Sequence, residues 1–350
     1  MDFLNSYIMK KLFKSRRAFL QQGSLTSLSL LSTTSWATIS THSNLKMAEI
    51  GKRIGIIGLD TSHVTAFTKA LNAPNATQYA GFKIVAAYPH GSKDIVSSAE
   101  RIPGYTAEVQ KYGVEIVHSI QDLLTKVDVV MLETNDGRLH LEQAMEVFKA
   151  GKRMFIDKPI AASLKDTQAI FAASEKYQVP IFSASSLRYS PSVQEIRAGK
   201  VGKVNGADAF SPMKLEKTHP DLFWYGIHGV ETLFTMMGTG CQQVNRYINE
   251  DQEVVVGVWQ DGRIGTFRGI KNGKQEYGGT AFGTNSVAHL GPYGGYDPLL
   301  LKIIEFFQTG IPPVSKEETL EIFAFMEAAD ESKRKKGASV KLADMYSKIK

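Results

Sequence analysis

Lys52-Arg-Ile-Gly-Ile-Ile-Gly-Leu-Asp-Thr-Ser-His63 decides how the rest of the chain is read. Its apolar half, Arg53–Leu59, predicts a buried strand. Gly58 opens a turn into an amphipathic run, Ser62–Asn72, that predicts a helix. Strand, glycine turn and helix in that order form the first unit of a dinucleotide-binding fold, whose fingerprint is G-x-G-x-x-G. Only the first glycine, Gly58, is present. Asp60 stands at the second place and His63 at the third. The second glycine lets backbone approach a pyrophosphate. A carboxylate ~4 Å from a phosphate, at an effective dielectric near 20, repels it by roughly 4 kcal/mol, on the order of a thousandfold in affinity. Alternatively, Asp60-Thr61-Ser62 caps the helix. Asp60 then points aside and leaves the Thr61 and Ser62 hydroxyls and the helix N–H groups for a phosphate.

Further strands are predicted at Lys83–Tyr88, Val114–Val117, Val127–Glu133, Arg153–Asp157 and Pro180–Ala184, with helices at Leu139–Ala150 and Ser163–Tyr177. Val127-Asp-Val-Val-Met-Leu is nearly all apolar, as expected of a strand covered on both faces. The alternation implies a parallel, doubly wound sheet with its ligand crevice at the strand carboxyl ends. After about residue 185 the pattern changes. Val204–Phe210, Gln252–Trp259, Gly262–Ile270 and Gly279–Gly283 predict an open, largely antiparallel sheet, with a hairpin turn at Asp261-Gly262. Helices are predicted at Asp221–Met237, Pro298–Gln308 and Lys316–Lys335. Leu320, Phe323, Met326 and Ala329 recur at helical spacing in the last, which reads as a core stripe. The fold class is thus α/β: a Rossmann domain over 51–180, then an α+β domain over 181–350.

Residues 1–37 form a separate object. Lys10, Lys11, Lys14, Arg16 and Arg17 make a basic start, and Ser15-Arg-Arg-Ala-Phe-Leu20 matches the twin-arginine export pattern. A weakly apolar, Ser-rich stretch follows and ends in Ser35-Trp36-Ala37, a small-x-small cleavage site. It is too short and polar to span a membrane. The expectation is a leader, a linker over 38–50, and a periplasmic or otherwise exported protein. This leader carries most of the formal net charge of +6: it holds five of the 41 basic residues and one of the 35 acidic ones. The remainder is nearly balanced, with no basic stripe interleaved with aromatics, so nucleic acid is not an expected partner. The single cysteine, Cys241, excludes an intramolecular disulfide and a cysteine metal site. It follows an apolar helix and is expected to pack.

The sharpest local pattern is Ala150-Gly-Lys-Arg-Met-Phe-Ile-Asp157-Lys158-Pro159. A helix ends, Gly151 caps it, a strand runs, and Lys158 emerges at the strand tip. Pro159 biases Lys158 to an extended conformation, aiming it at the crevice. With the lead-in Arg138-Leu-His140-Leu, the later Tyr296-Asp-Pro-Leu-Leu, Phe306-Phe-Gln-Thr-Gly-Ile-Pro-Pro-Val-Ser and Glu327-Ala-Ala-Asp-Glu-Ser, the chain resembles the glucose–fructose oxidoreductase and inositol dehydrogenase (Gfo/Idh/MocA) family over nearly all of 51–345. That resemblance implies a nicotinamide cofactor, sugar- or cyclitol-like substrates and a homo-oligomer built through the open sheet. Asp157-Lys158-Pro159 stands for the family's E-K-P, whose lysine sits beside the reacting carbinol. Tyr225-Gly-Ile-His228-Gly-Val-Glu231 matches the family's catalytic helix, with His228 as base and Glu231 as a following acid. Trp224 occupies the place of the family's partner aspartate. Asp221 is on the wrong helical face to replace it.

The resulting candidate set is Lys158 and His228 for catalysis; Gly58, Asp60, Thr61, Ser62, His63, Ser92, Lys93, Thr134, Asn135, Asp157 and Lys158 for cofactor; and Trp224 and Glu231 for substrate. Tyr88-Pro-His-Gly-Ser-Lys93 lacks the acid that would grip a ribose diol, and Ser92 and Lys93 would suit a 2′-phosphate, which favours NADP over NAD. Asp60, His63, His90, Glu133, Asp136 and His140 all fall near strand carboxyl ends, but with no compact ligand spacing, so no metal is expected. The leading function is an exported NAD(P)-dependent oxidoreductase. Its rivals are a redox-silent carbohydrate-binding homologue, motivated by Asp60 and Trp224, and a non-redox lyase or epimerase using Lys158 and His228.

Overall fold

The computed structural model describes residues 51–348. The expected leader and linker lie outside the described residues. Six parallel strands, β1 (Arg53–Ile57), β2 (Lys83–Tyr88), β3 (Glu115–Ile116), β4 (Val129–Leu132), β5 (Met154–Ile156) and β6 (Ile181–Phe182), form a sheet of order β3-β2-β1-β4-β5-β6. This is the doubly wound order, with its switch point between β1 and β4. All four β4 residues are buried, as an all-apolar strand covered on both faces must be. The helices of this half are α1 (Ser62–Asn72), α2 (Val96–Ala99), α3 (Ile102–Gln110), α4 (Ile120–Lys126), α5 (His140–Lys149) and α6 (Leu164–Tyr177).

After α7 (Pro191–Arg197) comes the second sheet: β7 (Val204–Pro212), β8 (Cys241–Ile248), β9 (Gln252–Trp259), β10 (Ile264–Ile270), β11 (Gly278–Gly283), β12 (Val287–His289) and β13 (Val340–Lys341). Its order is β12-β11-β7-β10-β9-β8-β13. Only the β7–β10 pair is parallel. Helix α8 (Ile227–Met237) is buried along its whole length and lies over this sheet. Helix α9 (Asp297–Thr309) turns Leu299, Leu300, Ile303 and Phe307 into the core of the first sheet, among Ile54, Phe67 and Phe82. Helix α10 (Lys316–Arg334) packs on β8 and α6, and α11 (Leu342–Ser347) closes the chain. The predicted α10 stripe is a core stripe: Phe323, Met326 and Ala329 are buried and Leu320 is packed against them. Cys241 is buried too, and burial pushes its thiol up to about 12.

Two departures from the sequence reading have physical causes. The helix predicted from Asp221 begins as one wide turn, Leu222–Gly226, before α8 proper. Strand β8 escaped prediction because Gln242, Gln243, Asn245 and Arg246 break the apolar alternation. Arg246 is nevertheless buried, its charge met by Glu253, Asp330 and Asp221. Asp221 also pairs with Lys333 and takes no part near His228. No helix among the described residues is long and apolar enough to cross a membrane.

Candidate functional site

The β1–α1 turn answers the question that Asp60 poses. Gly58 has φ +85, and a Cβ there would come within 2.6 Å of the Thr134 backbone, so this first glycine is required. Asp60 is fully buried and faces away from the helix. Its Oδ2 accepts from the Ser92 N–H (2.8 Å) and Oγ–H (2.7 Å), and its Oδ1 accepts from the Asn135 N–H (2.9 Å). The carboxylate therefore clamps the loops after β2 and β4 onto the β1 turn, and its charge is spent on three donors. Gly91 is glycine for the same reason, because a Cβ there would lie 2.5 Å from Asp60 Oδ2.

This corrects three expectations. Asp60 neither caps α1 nor faces a phosphate: Thr61 is the N-cap, and it makes no side-chain capping bond. Ser92 is buried with its N–H and hydroxyl both given to Asp60, so it is no phosphate ligand. Glu231 lies under the site rather than on it. Its Oε2 accepts from the Ser185 N–H (2.8 Å), and its Oε1 pairs with Arg188 Nε (2.6 Å).

A cleft of about 490 Å³ runs between the two sheets. Thr61, Ser62 and Asn135 of the first sheet's turns line one wall, and Trp224, Tyr225 and His228 the other, with Lys158 between. Arg101 and Tyr105 also line it, with four further tyrosines, Tyr225, Tyr277, Tyr293 and Tyr296. Sequence reasoning singled out none of the four tyrosines for the site. Their polar tips interlock: Tyr293 with Ser186 Oγ (2.8 Å), Tyr296 with Ser62 Oγ (3.4 Å), and Tyr277 donating to Tyr225 (3.4 Å). Amphipathic rings of this kind suit the mixed faces of a polyol.

Lys158, eight per cent exposed, follows β5 directly and is joined to Pro159 by a cis peptide. Its Nζ is 3.4 Å from Asp157 Oδ2. Burial opposes its charge, but Asp157 more than offsets this, and the ammonium is held above its ordinary range. His228 Nδ1 lies 2.7 Å from Ser185 Oγ. Ser185 thus fixes the orientation of the His228 ring, and no motif in the sequence marks it. Burial, reinforced by the nearby Lys158 and His63 charges, holds His228 well below its ordinary value of 6.5.

Beneath the cleft His63, Glu133 and Asp157 meet. His63 packs edge-on against Tyr296 and near Phe67. Its Nδ1 turns inward, away from the cofactor role expected of it, to within 3.1 Å of Asp157 Oδ1 and 3.6 Å of Glu133 Oε2. Asp157 is fully buried and likewise faces His63 and Lys158 rather than a ligand. Burial opposes charge on both His63 and Glu133. The carboxylates raise His63 to about 9, and Glu133 is pushed up to about 7. Thr134 is buried, its carbonyl meeting His140 Nε2 (2.6 Å), while His140 Nδ1 meets the Ile160 carbonyl (3.1 Å). His140 is thereby a staple between the β4 turn and the segment after Pro159. Asp136 pairs with Arg138 and His219. His90 and Lys93 are exposed at the β2 end.

The geometry defines a class: a doubly wound sheet whose strand ends face a second, mostly antiparallel sheet across a polar, aromatic cleft. Residues 52–185 match the model of the Gfo/Idh/MocA oxidoreductase family, described as an NAD-binding Rossmann fold. The 1,5-anhydro-D-fructose reductase of Ensifer adhaerens is 29% identical over 126 residues, which cover 34% of this chain and 37% of that protein. The match therefore spans little more than a third of the curated relative. A probable dehydrogenase from Thermotoga maritima superposes with a TM-score of 0.68 at 19% identity, covering 84% of this chain and 99% of that one. The scyllo-inositol dehydrogenase of Lactobacillus casei, solved with NAD(H) and scyllo-inositol, gives 0.66 at 14% identity, covering 84% and 99%. At these identities the structures establish the shared fold.

Proposed function

We propose that the chain is an NAD(P)-dependent oxidoreductase that interconverts a carbinol and a carbonyl on a sugar, sugar acid or cyclitol. The observation that carries this reading is the convergence of Lys158, His228 and the uncapped N-terminus of α1 on one cleft. The cofactor fits the residues present at its phosphate end. The N-terminal N–H groups of α1 receive no capping side chain, Thr61 and Ser62 flank them, and Asp60 is turned away. A bound nicotinamide would supply the hydride acceptor. The NADP preference loses one of its two supports, since Ser92 is engaged by Asp60, and rests on Lys93 alone.

Lys158 donates a hydrogen bond to the carbinol oxygen and stabilises it as it loses its proton. In the tautomer with Nδ1–H donating to Ser185 Oγ, His228 keeps Nε2 as the basic nitrogen, and it takes that proton. Its low basicity in the fold keeps it neutral and ready across neutral pH. Export through the twin-arginine pattern of residues 1–37 and a homo-oligomer through the open sheet belong to the same proposal.

The test is an assay of the purified chain with a panel of cyclitols and sugars and either nucleotide, followed over pH. His228 binds its proton only below 6.5 in the fold, so base function persists as pH falls through that value and is lost only below it. Expected are formation of reduced nicotinamide and a kcat/KM profile flat through pH 6.5. Turnover without change in the nicotinamide would favour the lyase or epimerase reading instead.

A further inference from the structure

We propose that His63, Glu133 and Asp157 form a binding site for a divalent first-row metal ion, set beneath the cleft at the ends of β1, β4 and β5. Two of the residues come from adjacent strand ends and the third, His63, from the first turn of α1. Glu133 and Asp157 directly follow β4 and β5, and their N–H groups donate to Ile57 and Leu132 (both 2.8 Å), which fixes where the side chains start. One nitrogen and one oxygen from each carboxylate lie within 4.8 Å of one another.

Two observations point to an ion rather than to an internal ion pair. First, His63 Nδ1 lies between two carboxylates, 3.1 Å from Asp157 Oδ1 and 3.6 Å from Glu133 Oε2, without a well-formed hydrogen bond to either. Two atoms that each sit at about 2.1 Å from a shared metal are roughly 3.0–3.4 Å apart, the spacing of His63 Nδ1 and Asp157 Oδ1, with Glu133 slightly farther out. Second, His63 Nδ1, Asp157 Oδ1 and both Glu133 oxygens are buried without any hydrogen-bond partner among the described residues. Glu133 and Asp157 are fully buried. Buried carboxylate oxygens are normally hydrogen-bonded or bound to a metal, because leaving them bare is costly.

The donor set selects the ion. One imidazole and two carboxylates suit zinc, manganese or ferrous iron; calcium prefers an all-oxygen shell. Three protein ligands leave a coordination position open, as in catalytic rather than structural sites. His63 also forms part of the cleft wall, which sets the trio directly against the cleft. Asp157 gives Oδ1 to the site and turns Oδ2 to Lys158, which seats the ion and the ammonium side by side on one carboxylate. The site is independent of the nucleotide reading, and the test runs without nucleotide.

The purified full chain is stripped with a chelator and titrated with Mn2+, the free ion being read by electron paramagnetic resonance. One Mn2+ per chain is expected, competed by Zn2+. His63→Ala and Glu133→Gln should each weaken it by more than the ~10–100-fold that losing an outer-shell partner costs. Should either variant fail to fold, Mn2+ broadening of the His63 ring proton resonances in the unaltered protein serves in its place. Sub-stoichiometric binding, binding indifferent to both substitutions, or His63 resonances untouched by Mn2+ would show that a proton alone occupies the trio and would overturn the proposal.

Discussion

Lys158→Ala is expected to lower kcat by about 10²–10⁴-fold, the range for removing a positioned proton-handling group. The nucleotide KM should change little, because the α1 N-terminus and the Thr61 and Ser62 hydroxyls are untouched. The cause lies in geometry. Lys158 is the one cation in the cleft that sits at a strand tip with its ammonium buried and held charged by Asp157. Arg101 and Lys214 also line the cleft, but both are exposed. Steady-state kinetics on the variant decide the matter. An equal fall with every substrate, at unchanged KM for nucleotide, is the signature of a lost transition-state interaction.

The second large effect is on stability. Glu231→Ala is expected to cost about 3–5 kcal/mol, the range for breaking a buried ion pair by removing one partner. Arg188 is completely buried, and its Nε loses Glu231 while NH1 keeps Glu318 at 2.6 Å. The Ser185 N–H loses its acceptor as well. Since Ser185 Oγ orients His228, the same change should lower kcat in whatever protein stays folded. Urea unfolding with parallel kinetics measures both. Glu231 is therefore the foundation of the base rather than a contact to the substrate, and the second effect separates those roles. A residue touching substrate would raise KM and leave the unfolding midpoint in place.

The fold was readable because its signals are local. Arg53–Leu59 is an apolar run into a glycine turn, Val129–Leu132 is apolar throughout, and α1 and α6 carry helical periodicity, so β1, β4, α1 and α6 appear within a residue or two of where they were expected. The class of the second sheet followed from β-rich runs and one Asp-Gly turn. The site was half readable. Lys158, His228, Thr61, Ser62, Asn135 and Trp224 all reach the cleft. What stayed hidden depends on partners far away in sequence. Asp60 finds Ser92 and Asn135, 32 and 75 residues on, and only those contacts say which way its carboxylate points. Ser185 meets His228 across 43 residues. The wide turn at Leu222–Gly226 interrupts a pattern that periodicity alone reads as one helix, and such irregular turns are frequent at functional sites. Of the two departures that favoured a redox-silent protein, Asp60 is accounted for by its clamp. Trp224 remains on the cleft wall, against His219.

The central claim is that the β1–α1 turn, with Asp60 facing inward, still accepts a nicotinamide nucleotide. Calorimetric titration of the purified chain with NAD+ and NADP+ tests it most directly. Saturable binding at one site per chain is predicted. No saturable binding of either nucleotide up to about 1 mM, the upper end of ordinary KM values, would contradict it.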